Sequence, residues 1–237
     1  PVGPHDKQAY AAADHGGSLY NNGTGTHYLS VTSNDFQFGT SDDFVIEAWV
    51  YPTATPSNAA QVFDNRGAAN GLNLALTSSN QFASYSEPLA SQLTSTAKTL
   101  NQWYHVAVVR YNGTRRLFVN GVSEASVADT GDYNSNSVII ASRHSQDQQA
   151  WTGNISDLRV IRGTIPSAYQ GTSLTIPAAP LTAVTNTKLL VQSTDAGIID
   201  KAQGAKSILL QGDAKCSTEQ TKFLTTSMKF DGNDRIN

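Results

Sequence analysis

The sequence is poor in cysteine and in long apolar segments. Cys216 is the one cysteine among 237 residues, so no disulfide can form within the chain, and a small disulfide-stapled scaffold is excluded. No grouping of Cys and His has the spacing of a zinc site. No apolar run approaches the roughly 18 residues of a membrane helix, and residues 1–8 lack the charged and apolar parts of a signal peptide. We therefore expect no insertion into a membrane.

Charge is also scarce. Charged residues make up 15% of the sequence, the net charge is −3, and no basic stripe is visible. Nucleic-acid binding depends on neutralising phosphates with Lys and Arg, so we expect no nucleic-acid partner. The surface must instead be polar through Ser, Thr, Asn and Gln. We interpret this composition as that of an extracellular or particle surface.

The sequence lacks a recognisable catalytic grouping. Retaining glycoside hydrolases need two carboxylates about 5–5.5 Å apart, which on one strand face means Glu-x-Asp-x-x-Glu. No such pattern occurs, and Glu47 stands alone in its predicted strand. The five histidines are scattered, and none lies in a Gly-x-Ser-x-Gly or Cys-His setting. We predict no catalytic residues and a protein that is not an enzyme.

What the sequence does contain is a series of short strand signals. Runs rich in β-branched and aromatic residues are separated by polar turns. The predicted strands are Phe44–Tyr51, Trp103–Tyr111, Arg115–Val119, Val138–Ala141 and Ile155–Ile161. Asn112-Gly113 and Asn120-Gly121 are typical of tight hairpin turns. No window keeps a 3.6-residue period, so helix should be confined to about one turn near Pro166–Tyr169. We predict an all-β fold, an antiparallel β-sandwich with little helix.

The central hairpin and its flanking strands together resemble a known family. The stretch WYHVAVVRYNGTRRLFVNG at 103–121 is preceded by FVIEAWVYP at 44–52 and followed by GNISDLRVIRG at 153–163. This set is similar to the laminin-G-like, concanavalin A-like jelly rolls over residues 17–180, and it implies that fold. The version here is most similar to domains that occur in tandem in virion structural proteins of tailed phages, especially marine ones.

The end of the chain resembles its beginning. Ser227–Gly232 aligns with Ser18–Gly23, 209 residues earlier, and two prolines within Ile176–Pro180 favour a linker between the two. We therefore divide the chain into residues 1–16, which complete or precede the domain, residues 17–180, the jelly roll, and residues 181–237. By the resemblance, this last segment is a linker with the opening strands of a second copy. The alternative is that its strands complete the same or a neighbouring sandwich.

A resemblance to pentraxin sandwiches implies a candidate calcium site. VFDNRG at 62–67 is similar to the pentraxin segment that supplies an Asp-Asn pair, and SQDQQ at 145–149 lies where further ligands would fall. Calcium prefers such carboxylate and amide oxygens. The implied ligands are Asp64, Asn65, Asp147 and Gln149. The second loop has one carboxylate where the pentraxin pattern has two, and an ordinary turn after a strand would also explain Asp64-Asn65.

Aromatic side chains beside amides are the candidate glycan site. Sugars dock on exposed aromatic faces that are flanked by hydrogen-bonding groups. Trp151, near Gln149 and Asn154, is one possible platform, and Tyr85 is another. The alternative for Trp151 is a place in the core, where a Trp that opens a jelly-roll strand usually packs.

These observations favour a non-enzymatic structural or adhesive unit of a repeated surface protein. The resemblance implies a phage virion protein, such as a tail fibre, appendage or decoration, at a virion surface or in an extracellular location. The expected partners are further copies of the chain, neighbouring domains and a cell-surface glycan; calcium is the one expected cofactor. The alternative is a carbohydrate-binding module or a bacterial adhesin domain.

Overall fold

The computed structural model describes residues 19–23, 27–67, 70–143, 149–194, 197–211, 215–217 and 227–229. Its strands in chain order are β1 (Leu19–Asn22), β2 (Tyr28–Thr32), β3 (Phe44–Pro52), β4 (Ala60–Asp64), β5 (Asn73–Leu76), β6 (Gln81–Ser86), β7 (Ser91–Ala97), β8 (Tyr104–Tyr111), β9 (Thr114–Val119), β10 (Val122–Ala128), β11 (Ser137–Ile140), β12 (Thr152–Arg162), β13 (Thr187–Thr194), β14 (Gly197–Asp200), β15 (Leu209–Gln211), β16 (Lys215–Ser217) and β17 (Ser227–Lys229). One-turn 3-10 helices cover Asn34–Phe36 and Ser167–Tyr169. The predicted all-β fold with little helix is confirmed.

Two sheets pack face to face. The ten-stranded sheet runs β10-β9-β8-β3-β12-β1-β17-β16, with β13 also on β12 and β14 on β13. The seven-stranded sheet runs β15-β2-β11-β4-β5-β6-β7. Alternate apolar residues of both inner faces form one continuous core that includes Phe44, Phe63, Phe82 and Val108. Outward-facing residues therefore alternate with core residues along each strand.

The predicted central hairpin is present. β8 and β9 pair antiparallel from Val106↔Val119 to Tyr111↔Thr114. Asn112 and Gly113 between them both have positive φ, at 48° and 70°. Two successive positive φ values are the signature of the type I′ turn that Asn-Gly favours, because its twist matches that of the flanking strands.

Residues 163–186 cover the outer face of the ten-stranded sheet; we call this segment the strap. Ile165 and Leu174 of the strap are buried in a second apolar cluster, against Val45, Val109 and Phe118 of the sheet. The predicted linker at 176–180 thus lies within the strap.

Beyond the strap the chain rejoins the same sheet. β13 pairs antiparallel with β12, with Leu158 opposite Val191. Leu19 of β1 lies opposite Met228 of β17 in a parallel pair, and these are the residues that the sequence alignment superposes. Whether residues 181–237 also open a second copy of the domain stays a prediction.

Candidate functional site

A polar groove lies across β4, β5, β6 and β7 on the outer face of the seven-stranded sheet. Its volume is about 150 Å³, below the roughly 300–1,000 Å³ of pockets that enclose drug-sized ligands. The polar side chains that line it include Gln61, Arg66, Asn73, Tyr85, Gln92 and Gln149. The groove therefore suits one small polar unit that docks from solvent.

Strand alternation produces this groove. Leu74 and Leu76 of β5 belong to the core, so Asn73 and Ala75 face outward. Ala83 of β6 lies opposite Ala75 in the antiparallel pair. These two neighbouring methyl groups form a low apolar floor between longer polar side chains.

Three amide side chains form a continuous hydrogen-bonded row, which we call the amide relay. The backbone N–H of Tyr85 donates to Asn73 Oδ1 at 2.7 Å. Asn73 Nδ2 donates to Gln61 Oε1 at 2.8 Å, and Gln61 Nε2 donates to Gln149 Oε1 at 2.8 Å.

The hydrogen bonds of the amide relay all run in one direction, which is set by the backbone N–H of Tyr85. A backbone N–H can only donate, so it fixes which atom of Asn73 is the oxygen, and each later amide orientation follows. Gln61 is fully buried and Asn73 is 4% exposed. The backbone N–H of Gln61 also donates to Gln149 O at 2.9 Å, which ties the last member to β4. The polar wall is therefore rigid before any ligand arrives.

Arg66 and Asp64 form an ion pair at one end of the groove. Arg66 Nε and Nη2 donate to the two carboxylate oxygens of Asp64 at 2.8 and 3.1 Å. The Asp64 side chain is fully buried and that of Arg66 is 14% exposed. The bidentate geometry is the strong form of this contact. The pair cancels the charge at this end of the groove.

The groove also has an aromatic side chain. Tyr85 is half-buried and lies opposite the exposed Gln92 across the β6–β7 pair. Within the described residues, nothing hydrogen-bonds the Tyr85 hydroxyl. The ring and hydroxyl of Tyr85 are thus available to a ligand at the surface.

The sequence matches a protein family whose fold is a β-sandwich of this kind. A family model described as the concanavalin A-like lectin/glucanases superfamily matches residues 22–168, which is more than half of the sequence. The chain belongs to this superfamily. The matched region contains every residue that lines the groove.

Solved structures with the superfamily fold are similar to the chain at low identity. A candidate carbohydrate-binding protein from Bacteroides ovatus is 16% identical with a TM-score of 0.55, over 96% of this chain and 63% of that one. The chain thus spans less than two thirds of that protein. A heptameric pentraxin from Limulus polyphemus is 13% identical with a TM-score of 0.41, over 79% of this chain and 95% of that one. The likeness to the Bacteroides ovatus protein shows the fold alone. No curated protein matches the chain in sequence.

The structure brings together two of the predicted glycan-binding residues of this superfamily member. Tyr85 and Gln149 line the same groove. Trp151 is fully buried in the core, and Asn154 is 1% exposed on β12 of the other sheet. The expectation of an exposed platform at Trp151 is corrected, because the large indole ring fills the space between the sheets, and Asn154 is buried away from the groove.

Two of the predicted calcium ligands already have protein partners. Asp64 accepts the two bonds from Arg66 described above and one from the Arg66 backbone N–H at 2.9 Å. Asn65 is fully buried, and its Oδ1 accepts from Leu72 N at 2.7 Å. A cation at Asp64 would have to displace Arg66.

Of the two other implied calcium ligands, one lies among the described residues. Gln149 Oε1 belongs to the amide relay, and Asp147 lies outside the described residues. No group of three or more His, Cys, Asp or Glu within the described ranges could hold a metal ion. Calcium binding stays a prediction.

Sequence reasoning missed Gln61, Asn73 and Arg66. The sequence does carry a signal for Gln61 and Asn73, because each is a polar residue in a short strand that is otherwise mainly apolar, AQVFD and NLAL. Such positions are polar on an outer face. Their convergence could not be seen, because it depends on the register of Asp64↔Asn73 and Gln61↔Ala75.

Glu47, the carboxylate considered for catalysis, is fully buried under the strap. Arg159 Nη2 donates to Glu47 Oε1 at 2.6 Å, and the Tyr169 hydroxyl and His105 Nε2 lie 2.9 and 3.0 Å from its oxygens. Burial would raise the pKa of Glu47, but the hydrogen bond with His105 and the charge of Arg159 outweigh it and hold the pKa below its ordinary value. This carboxylate fastens the strap and is closed to a substrate.

Proposed function

We propose that the chain is a non-catalytic, carbohydrate-binding β-sandwich unit, and that the groove on the seven-stranded sheet is its binding site. The observation that carries the proposal is the amide relay beside Tyr85, over a floor of two alanines. Fixed amides supply directed hydrogen bonds to sugar hydroxyls, and an aromatic ring supplies an apolar face. The relay residues are locked by one another, so binding costs little side-chain entropy.

The positions of the carboxylates support a binding role for the groove rather than hydrolysis. Hydrolysis needs two carboxylates that can reach one glycosidic bond. No carboxylate is among the described residues that line the groove, and Arg66 engages both oxygens of the neighbouring Asp64. Glu47 is buried on the other sheet. The description of the Bacteroides ovatus protein as carbohydrate-binding is consistent with the proposal.

A Tyr85→Ala variant tests the proposed site. We expect the wild type to bind at least one class of saccharide on a glycan array. Tyr85→Ala should weaken that binding by about 1–3 kcal/mol, which is about five- to 150-fold, since it removes a whole aromatic contact. Tyr20→Ala is a matched control, because Tyr20 is half-buried on β1 of the other sheet. No binding by the wild type, or equal loss in both variants, would exclude this site.

An architectural role can coexist with glycan binding. We propose, as the resemblance implies, a repeated surface protein such as a phage tail fibre, appendage or decoration, located on a virion or outside the cell. The sequence similarity of Ser227–Gly232 to Ser18–Gly23 supports a duplication. Further copies or neighbouring domains would be the partners. No helix among the described residues meets the length and apolarity that a membrane crossing requires.

The mass of the denatured polypeptide from its native source tests this second role. A mass that exceeds 25.3 kDa by the mass of one or more units of 209 residues, the offset between the two similar segments, would support tandem copies. A catalytic domain elsewhere on that polypeptide would instead favour the alternative, a carbohydrate-binding module, and a bacterial surface anchor would favour an adhesin.

A further inference from the structure

The direction of the amide relay decides what the groove offers to a ligand. Gln149 uses its Oε1 to accept from Gln61, so its Nε2 amide group is the free end of the relay. No described residue accepts a hydrogen bond from that Nε2. Arg66 Nη1 is likewise without an acceptor among the described residues, whereas its Nε and Nη2 are taken by Asp64. Both groups belong to residues that line the groove and can only donate, so the groove requires an acceptor from its ligand.

The charge of the groove decides which acceptor fits. Arg66 would attract a carboxylate, but the buried Asp64 carboxylate already neutralises it at 2.8 Å. A second carboxylate would face Asp64 at short range and would lose its hydration without a free cation in return. A neutral oxygen, such as a carbonyl, satisfies the same donors without this cost.

The floor of the groove decides what lies beside that oxygen. Ala75 and Ala83 are adjacent across the β5–β6 pair and are 1% and 5% exposed. Their methyl groups offer a small apolar patch next to the donor end. A methyl group gains from burial on such a patch, while a hydroxyl would be left without a partner there.

We infer that the groove selects a neutral, N-acetylated sugar, whose acetamido carbonyl accepts from Gln149 and Arg66 while its methyl group packs on Ala75 and Ala83. Asp64 is then a specificity-determining residue, because it removes the positive charge that would recruit an acidic sugar. This inference rests on the proposed function and adds the chemical class of the ligand.

Matched oligosaccharides test the ligand class. The neutral probes are tri-N-acetylchitotriose and cellotriose; the first has an acetamido group at the carbon where the second has a hydroxyl group. Trigalacturonate is the acidic probe. A wider array of such matched pairs covers other sugar backbones. We expect the acetamido member of a pair to bind about tenfold or more tightly than the hydroxyl member, and the acidic probe to bind more weakly than either.

Two conservative variants test the residues. Gln149→Glu keeps an oxygen for Gln61 but replaces the free NH2 by a carboxylate oxygen, so it should abolish the acetamido preference. Gln203→Glu makes the same chemical change at an exposed position away from the groove and should leave the preference intact. Asp64→Asn should raise binding of the acidic probe about tenfold. Thermal unfolding establishes that each variant is folded.

The outcomes separate the two proposals. If saccharides bind and Tyr85→Ala abolishes binding, but acetamido and hydroxyl members bind alike, the ligand class is wrong and the groove remains the site. The same holds if Gln149→Glu retains the preference. If no saccharide binds the wild type, both proposals fail.

Discussion

Asp129 is the buried counter-ion of two arginines at one end of the sandwich, and its removal is the sharpest test of what joins the sheets. Its oxygens lie 3.3 Å from Arg110 Nη1 and 2.8 Å from Arg115 Nε. All three side chains are at most 1% exposed. Arg115 also donates to Ser84 Oγ at 2.8 Å and Ser91 Oγ at 2.7 Å on the opposite sheet. The network therefore bridges the two sheets through the core.

The Asp129→Asn variant removes the charge and keeps the shape. Two buried guanidinium groups would then lack a carboxylate partner, and breaking such a pair costs about 3–5 kcal/mol. Domains are stable by only about 5–15 kcal/mol in total, so the loss should be a large fraction of the free energy of unfolding. The assay is urea unfolding followed by tryptophan fluorescence, in which the midpoint should fall sharply.

A matched control distinguishes this buried pair from surface charges. Asp42 forms a 2.8 Å pair with Arg162, but both side chains are 29% exposed. Asp42→Asn should therefore change the free energy of unfolding by no more than about 1 kcal/mol. If Asp129→Asn is too unstable to purify, Tyr133→Phe removes the hydroxyl that lies 2.6 Å from Asp129 Oδ2 and 2.9 Å from Ser86 Oγ, and it should cost about 1–2 kcal/mol. Equal, small losses for Asp129→Asn and Asp42→Asn would refute the reasoning.

Three further predictions concern pH, the strap and calcium. Burial raises the pKa of Asp157 from 3.8 to about 7, so its stabilising neutral form is fully present below pH 3.8 and is lost as pH rises through about 7. Between pH 5 and pH 8 the free energy of unfolding of the wild type in urea should fall by on the order of 2–3 kcal/mol, and that of Asp157→Asn should not. The same pH dependence in both proteins would contradict this prediction. Gly121→Ala should lower the melting temperature and expose the strap to protease, because φ is +79° and a Cβ would lie 2.3 Å from Leu174 O; an unchanged melting temperature would argue against that close approach. Calcium should raise the melting temperature of the wild type and not of Asp64→Ala if Asp64 binds the ion, and no effect on the wild type would remove the calcium prediction.

The fold could be predicted further than the site. FVIEAWVYP, the Asn112-Gly113 hairpin and ISDLRV carry their strand and turn preferences locally, and the structure confirms them. Tyr85 and Gln149 were predicted as separate residues. Their meeting depends on contacts between residues far apart in sequence, such as that of Gln61 with Gln149.

Burial explains where sequence reasoning about the site went wrong. Trp151 stands beside a polar, Gln-rich segment, which suggested exposure, but it directly precedes β12, whose Ile155 and Val160 also belong to the core. An indole ring gains more from such burial than from exposure. Asp64 was grouped with calcium ligands by resemblance, and Arg66, two residues on, is its bidentate partner in the structure; whether Asp64 also binds calcium stays a prediction.

The unequal covering of the two sheets explains why the groove lies where it does. On the ten-stranded sheet the outer face carries Glu47, His105 and Arg159, a buried polar set that is stable in low dielectric only because each member has a partner. Tyr169 of the strap completes that set, so the strap closes this face. On the seven-stranded sheet the outer face carries neutral amides, which tolerate either a sugar or water as partner. The covered face of the ten-stranded sheet thus holds a buried ion pair beneath the strap, whereas the open face of the seven-stranded sheet presents pre-arranged neutral amides and one ion pair without net charge.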